Sequence, residues 1–458
     1  MTASAITPEL LARYDRPGPR YTSYPTVPEW SADFGGEQYR GALTEAAAIP
    51  DTPLSLYVHI PFCPHRCAYC GCTTITAPSE NLMSRYLADV ALEVEHAASL
   101  LGKRNTVSQC HWGGGTPTSL NADQMGRLFG VLTDRFTFDA DAEVAIETNP
   151  NSVTRAQLDL LRGVGFNRIS FGVQDLNPDV QRAIGRNQTA ERTAEMLRYC
   201  RGLGFSGINM DLIYGLPLQT MEPWMRTLEQ VAAMKPDRIA IYSYAHLPSR
   251  FVHQQALDPL PRPGTAEKYA LFAAARNYLV EAGYRPIGMD HFALPGDELA
   301  RSLDNRTLHR NFMGYTVRQA PDQIGFGLSA ISEVSECYSQ NTKDPDLYHS
   351  ALERGDLPVE RGMRLSRDDV IRRWAIRRLM CAFELDLVQA TALFGINCNQ
   401  YFSAERVLLE AYQAEGMIDL GPEYWRVTPL GAPFIRNICM VFDAYLKSSS
   451  KTLYSRTI

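Results

Sequence analysis

Between residues 54 and 294, short apolar runs rich in Ile, Val, Leu, Phe and Tyr alternate with longer segments of helical period. The runs at 54–60, 108–112, 142–147, 168–173, 207–214 and 238–244 predict six strands, and 80–101, 122–136, 155–163, 190–203 and 221–234 predict the helices between them. Asn121 and Thr154 stand where side chains cap helix N-termini. Strict strand–helix alternation over this length predicts a parallel sheet, either doubly wound or curled into a full or partial barrel. Polar and glycine-rich residues recur just after the strands: the cysteine-bearing 59–72, "GGGTPT" at 113–118, "ETNP" at 147–150, "GVQD" at 172–175 and "YGLP" at 214–217. In an α/β barrel that rim is the active face.

Two regions lie outside the repeat. "RYDRPGPRYTSYPTVPEW" at 13–30 carries four prolines and four aromatic residues without helical period, which predicts an extended arm running over the body. From 365 a helical stretch begins, and "GMIDLGPEYWRVTPLG" at 416–431 reads as a short hairpin between helices, the order of a small winged-helix-type domain acting as a lid or packing module. With 458 residues, 45% of them hydrophobic, the chain can bury a large core in two or three domains. A net charge of −6 excludes a broad basic field for nucleic acid, so an anionic ligand must be met by a few placed cations. No apolar run reaches the roughly 18 to 20 residues of a membrane span, and the first thirty residues lack a signal-peptide pattern, so a cytoplasmic location is expected.

Ten cysteines are present, four of them inside "HIPFCPHRCAYCGC" at 59–72. The other six (Cys110, Cys200, Cys337, Cys381, Cys398 and Cys439) are scattered singly and read as small core residues, not a disulfide framework. Three thiolates from one short loop can bind three corners of a [4Fe-4S] cubane and leave one iron open. Structural zinc fits less well, because it takes four ligands and no second cysteine or histidine pair follows.

The spacing Cys63-x3-Cys67-x2-Cys70, opening straight after the first strand, resembles the signature of the radical S-adenosylmethionine enzymes. "YDRPGPRYTSYPT", "HIPFCPHRCAYCGC", "HWGGGTPTSL", "FNRISFGVQD", "DLIYGLP", "YAHLP", "GMDHFA", "LHRNFMGYT" and "RNICMVFDAYL", spread from 14 to 446, are similar to segments of the oxygen-independent coproporphyrinogen III oxidase family within that superfamily. The resemblance implies a partial (β/α)6 TIM-like barrel with an extended N-terminal arm (1–50), a catalytic domain (51–360) and a small, mostly helical C-terminal domain (361–458). It implies Cys63, Cys67 and Cys70 as cluster ligands, with Cys72 matching a fourth cysteine that is not a ligand. It also implies two molecules of S-adenosylmethionine, the first at Tyr57, Gly114, Glu147 and Ile331, the second at Tyr69, Gly115, Thr116, Gln174, Arg186, Asp211 and Ala245. Tyr57 and Glu147 are further taken as the catalytic pair.

The implied reaction is anaerobic decarboxylation of two propionates of coproporphyrinogen III, giving protoporphyrinogen IX, in a monomer served by a flavodoxin- or ferredoxin-like donor and an unidentified electron acceptor. Arg20 and Arg310 are candidates to meet the propionates, and His59 and His291 are candidate proton-relay or structural histidines. Rival readings are haem-binding chaperone-like relatives, which resemble "CPYCDF" around the third cysteine and lack the arm, and radical enzymes that methylate or open a haem ring. No nucleic-acid partner is expected.

Overall fold

Each of the six apolar runs forms a strand: β1 Leu54–Ile60, β2 Thr106–Gly114, β3 Thr137–Thr148, β4 Arg168–Gln174, β5 Gly207–Tyr214 and β6 Arg238–Ser243. The computed structural model describes residues 6–318, 320–446 and 454–458. Neighbouring strands pair in parallel in chain order. Helices α1 Glu80–Leu101, α2 Ala122–Thr133, α3 Arg155–Val164, α4 Ala190–Leu203 and α5 Met221–Met234 return the chain. Asn121 and Thr154 cap α2 and α3 as expected, each accepting from the backbone N–H three residues on. β2 and β3 begin earlier than their apolar runs because Thr106 and Val107 also pair with Thr137 and Phe138, beyond an irregularity in the ladder. α2 stops at Thr133, short of 136, where Leu132 accepts both the Arg135 and the Phe136 N–H in a tightened last turn.

The sheet continues past both ends of the repeat. β7 Arg285–Ile287, β8 His291–Ala293, β9 Asp322–Phe326, β10 Ile331–Val334, β11 Cys337–Asn341 and β12 Val359–Arg364 complete twelve strands in the order β12-β11-β10-β9-β1-β2-β3-β4-β5-β6-β8-β7. β9 runs parallel to β1, and the pairings beyond it and beyond β6 are antiparallel. The repeat curls into a partial (β/α)6 barrel, since residues of β2 to β6 and of the hairpin His309–Asn311 with Gly314–Thr316 line one interior cavity. Outward-facing Trp112, Phe171 and Met210 alternate with these and bury against the helices in the main apolar core.

The arm is not extended throughout. Pro8–Tyr14 forms a helix capped by Thr7 and takes in the first two residues of the segment, and Val27–Glu29 makes a 3-10 turn. Leu11, Tyr14, Tyr21 and Tyr24 enter the core of the C-terminal region, beside Leu379, Phe402, Trp425 and Ile438. That region opens on helix Arg367–Ala382, and its hairpin Ile418–Leu420 with Tyr424–Val427 gains a third strand, Glu384–Asp386. The six scattered cysteines are all buried and free. Among the described residues no helix is long and apolar enough to cross a membrane.

Arg104, wholly buried, ties the start of β9 to the start of the barrel. It pairs with Asp322 at 2.5 Å and donates to the carbonyls of Thr52 (2.9 Å) and Ala46 (3.0 Å). Removing one member of a buried pair strands the other charge. Arg104→Ala is therefore expected to cost about 3–5 kcal/mol, read as a lowered urea midpoint by far-ultraviolet circular dichroism.

Candidate active site

The inner face of the barrel is largely polar at alternate positions, with Ala145 as an exception on β3. Ser55, Tyr57 and His59 alternate along β1; Gln109 and His111 along β2; Glu143 and Glu147 along β3; Arg168 and Ser170 along β4; Asn209 and Asp211 along β5; Arg238 and Tyr242 along β6. At the N-terminal end the polar groups neutralise one another. Arg168 bonds Glu143 and Glu298, each at 2.8 Å, and Arg238 bonds Asp297 at 2.9 Å. Gln109 reaches Glu143 and Thr316, both at 2.9 Å. This closes the floor and leaves the chemistry to the opposite rim.

At that rim Tyr57 and His59 form a fixed pair. His59 Nε2 lies 3.0 Å from the Thr73 carbonyl and must donate to it, so Nδ1 is left to accept from the Tyr57 hydroxyl at 3.0 Å. Burial lowers the His59 pKa, against Thr73 and Glu147, and so favours that neutral tautomer. Glu147 accepts from His111 and from the Gly114 N–H, both at 3.2 Å. Burial alone would raise its pKa, but these two partners outweigh burial and keep the carboxylate ionised.

The cysteine loop is anchored from several sides. Phe62–Cys63 pairs with Ile75–Thr76, Ala68 N–H bonds the Ile184 carbonyl at 3.0 Å, and Arg66 bonds the Thr74 carbonyl at 2.8 Å. His253 donates to the Cys70 carbonyl at 2.6 Å, and Gln254 spans the carbonyls of Tyr69 (2.9 Å) and Ala245 (3.3 Å). The glycine segment docks directly on the loop, with Gly115 N–H on the Ile60 carbonyl and Thr116 N–H on the Phe62 carbonyl, both at 2.8 Å. A Cβ at Gly115 would stand 2.7 Å from the Pro61 carbonyl group, and Gly114 has φ +113°, so both positions need glycine.

Cys63, Cys67 and Cys70 are half-buried, and each sulfur meets a different donor: the Thr116 hydroxyl at 3.5 Å, Arg186 Nη1 at 3.8 Å and the Cys72 N–H at 3.4 Å respectively. Burial pushes the Cys63 thiol up to about 11, whereas a hydrogen bond with the Cys72 thiol lowers Cys70 against burial. Among the described residues no three His, Cys, Asp or Glu side chains converge on a single-ion site. A cubane takes its thiolates at separate corners, which suits three soft donors spread along one loop.

The remaining expected residues divide into groups. Glu147 and Asp211 share the interior cavity. Asp211 accepts from Ser170 (3.0 Å) and Asn209 (2.8 Å), and burial followed by the charge of Glu147 raises it to about 6. Arg186 donates to the Gly172 carbonyl at 2.6 Å and to Gln188 at 2.9 Å, beside Gln174, which sits at φ +70°. Tyr69 packs with Tyr244 and Leu216 beneath the loop. Ile331 opens β10, against Gly325 of β9, which itself pairs with Tyr57 of β1, and packs near Trp30 of the arm and Tyr338. His111, Ser170, Asn209 and Tyr242 also line the cavity and were not singled out from sequence. Their alternation within otherwise apolar strands is the signal that marks them.

A curled parallel sheet whose rim presents three thiols beside a docked glycine segment defines a radical S-adenosylmethionine protein. The Radical SAM superfamily model matches residues 57–231, and the HemN C-terminal domain model matches 365–434. The oxygen-independent coproporphyrinogen III oxidase of Escherichia coli strain K12 is 43% identical over 450 residues, 98% of each chain. That of Pseudomonas aeruginosa is 41% identical over 454 residues, again 98% of each. The solved structure of the E. coli coproporphyrinogen III oxidase, described as a radical SAM enzyme, superposes with a TM-score of 0.89 at 44% identity, covering 93% of this chain and 97% of that one. This chain belongs to the oxygen-independent coproporphyrinogen III oxidase family.

The raised pKa of Asp211 makes stability depend on pH. The folded state holds this proton up to about pH 6, whereas the unfolded chain releases it near the usual aspartate value of about 3.9, so stability falls as pH rises across that window. In urea titrations of the apoprotein, Asp211→Asn is expected to remove a fall of about 1–2 kcal/mol between pH 4 and 6.

Proposed function

We propose that this chain carries out the oxygen-independent oxidative decarboxylation of coproporphyrinogen III to protoporphyrinogen IX in haem biosynthesis, acting on two propionate side chains. The observation that carries the reading is the three-thiol loop docked on the glycine segment at the open rim of a polar cavity. Cys63, Cys67 and Cys70 would hold a [4Fe-4S] cluster, leaving one corner without a protein ligand. When bound, the cluster and S-adenosylmethionine supply the electron and the 5'-deoxyadenosyl radical that takes hydrogen from a propionate β-carbon, after which carbon dioxide and an electron are lost and a vinyl group forms.

The protein's own part is binding and exclusion of water. The ionised Glu147, with Tyr57, Gly114 and Ile331, would receive the first S-adenosylmethionine, the carboxylate suiting its ammonium group. Tyr57 and Glu147 would also be the groups nearest the chemistry. Tyr69, Gly115, Thr116, Gln174, Arg186, Asp211 and Ala245 would form a second S-adenosylmethionine site. Gln254 supports this by tying Tyr69 to Ala245, as does the contact of Arg186 with Cys67. We further propose the division 1–50, 51–360 and 361–458, a cytoplasmic monomer, and a reduced flavodoxin- or ferredoxin-like donor.

Anaerobically reconstituted protein given reductant, S-adenosylmethionine and coproporphyrinogen III should release carbon dioxide and form protoporphyrinogen IX. Tight haem binding without turnover would point to a chaperone-like role. Serine at Cys63, Cys67 or Cys70 should each abolish the visible absorbance of the cluster and cofactor cleavage, while Cys72→Ser retains the cluster. Loss of the cluster from Cys72→Ser with retention in Cys67→Ser would reverse the ligand assignment. Gly115→Ala should keep the fold and weaken S-adenosylmethionine binding by about tenfold or more, measured by equilibrium dialysis.

A further inference from the structure

Three arginines from three distant parts of the chain gather where the arm meets the barrel. Arg20 belongs to the arm, Arg310 to the hairpin beside the cavity, and Arg436 to the C-terminal region. Arg310 and Arg436 are 7% and 4% exposed. Apart from the Ser455 hydroxyl, which Arg436 reaches at 3.2 Å, their hydrogen bonds go to carbonyl groups, among them Arg310 to Arg20 (2.7 Å) and Tyr21 (3.1 Å), and Arg436 to Pro19 (3.0 Å) and Arg456 (2.7 Å). Among the described residues, Arg310 Nε has no hydrogen-bond partner. Carbonyls satisfy the donors but carry no net charge, so the positive charge stays uncompensated.

Among the described residues, Asp290 is the one carboxylate that bonds any of the three. It is divided between Arg20 Nη2 at 3.1 Å and His291 Nδ1 at 2.7 Å. Burial would raise the Asp290 pKa, but His291, Arg20 and Arg310 hold it well below the usual carboxylate range. Burial, and then repulsion from Arg20, brings Arg436 down to about 9, with Arg310 adding to the fall. One carboxylate thus faces three guanidinium groups. The group borders the catalytic cavity, because His291, Tyr242 and Tyr315 line that cavity while Arg20 lies over the Tyr242 ring at 5.8 Å and Arg310 over the Tyr315 ring at 5.2 Å.

We propose that Arg20 and His291, oriented by Asp290, seat a propionate carboxylate of the tetracarboxylate substrate, with Arg310 and Arg436 supplying the surplus positive charge behind them. The proposal rests on the reaction assigned above and adds where the non-reacting end of the substrate is gripped. Asp290 takes the Nδ1–H, and in the imidazolium form His291 also carries an Nε2–H to donate to the ligand. Arg310 and Arg436 fasten the arm by its own carbonyls, so the seat is complete only with the arm in place.

S-adenosylmethionine also carries a carboxylate, so the test separates the two sources. The oxidised, light-absorbing coproporphyrin III and its tetramethyl ester are titrated into the reconstituted protein at low and high salt, and S-adenosylmethionine is titrated separately. The acid should bind about tenfold or more tighter than the ester, with the difference shrinking in salt. Arg20→Gln and His291→Asn should bring acid and ester near parity and raise KM for coproporphyrinogen III more than they lower kcat, and Arg20→Lys should restore part of the preference. Equal binding of acid and ester by the unaltered protein overturns the proposal without needing any variant to fold. So does an Arg20→Gln variant that loses S-adenosylmethionine affinity while keeping its preference for the acid. Acid preference without turnover of coproporphyrinogen III would sink the reaction assignment and leave the carboxylate seat standing.

Discussion

The structure depends on a barrel that keeps polar side chains on its inside. Burying a polar group costs free energy unless it finds a partner, so each inward position must be matched across the sheet. At one end the matching is close: Arg168 and Arg238 pair with Glu143, Asp297 and Glu298 across the floor. At the other end it is only partial. Glu147 and Asp211 share a cavity with few cations, and burial presses on both, but His111 and the Gly114 N–H keep Glu147 charged while Asp211 drifts toward neutrality. The polarity of the interior therefore serves stability at the floor and ligand binding at the rim.

The cysteine loop adds a second constraint. It makes no disulfide, so its shape must come from backbone bonds and neighbouring side chains. The carbonyls of Ile60 and Phe62 accept from the glycine segment, while His253 and Gln254 brace the far side. The loop, the glycine segment and the segment after β6 are consequently tied together. A change in any of them is felt at the sulfurs.

Much of this was legible in the chain because the signals are local. Strand and helix periods gave the six-fold repeat, the caps at Asn121 and Thr154 were visible as residue types, and the Cys63, Cys67 and Cys70 spacing named the chemistry. Signals that need pairing across the chain were not readable. The antiparallel strands beyond β6 and β9 are short and lack a strong alternation of their own. The arm's proline-rich sequence hid that Tyr14, Tyr21 and Tyr24 belong to the C-terminal core. Arg20 and Arg310 looked equivalent as candidate cations, yet Arg310 spends its bonds on arm carbonyls while Arg20 meets a carboxylate. Polar residues such as His111 and Asn209 were passed over because apolar neighbours dominated the reading of their strands.

Anchoring the arm in the C-terminal core has a consequence for synthesis. Tyr21 donates to Asp443 at 2.9 Å, Ala444 N–H bonds the Tyr24 hydroxyl at 3.1 Å, and Asn437 bonds the Tyr14 carbonyl at 2.8 Å. Contacts this remote in sequence form late, because a long loop must close before they are rewarded. Residues 14 to 24 thus wait for residues 437 to 444 before they can dock. Until then Arg310 and Arg436 lack the arm carbonyls they bond, so the basic corner beside the cavity is assembled late.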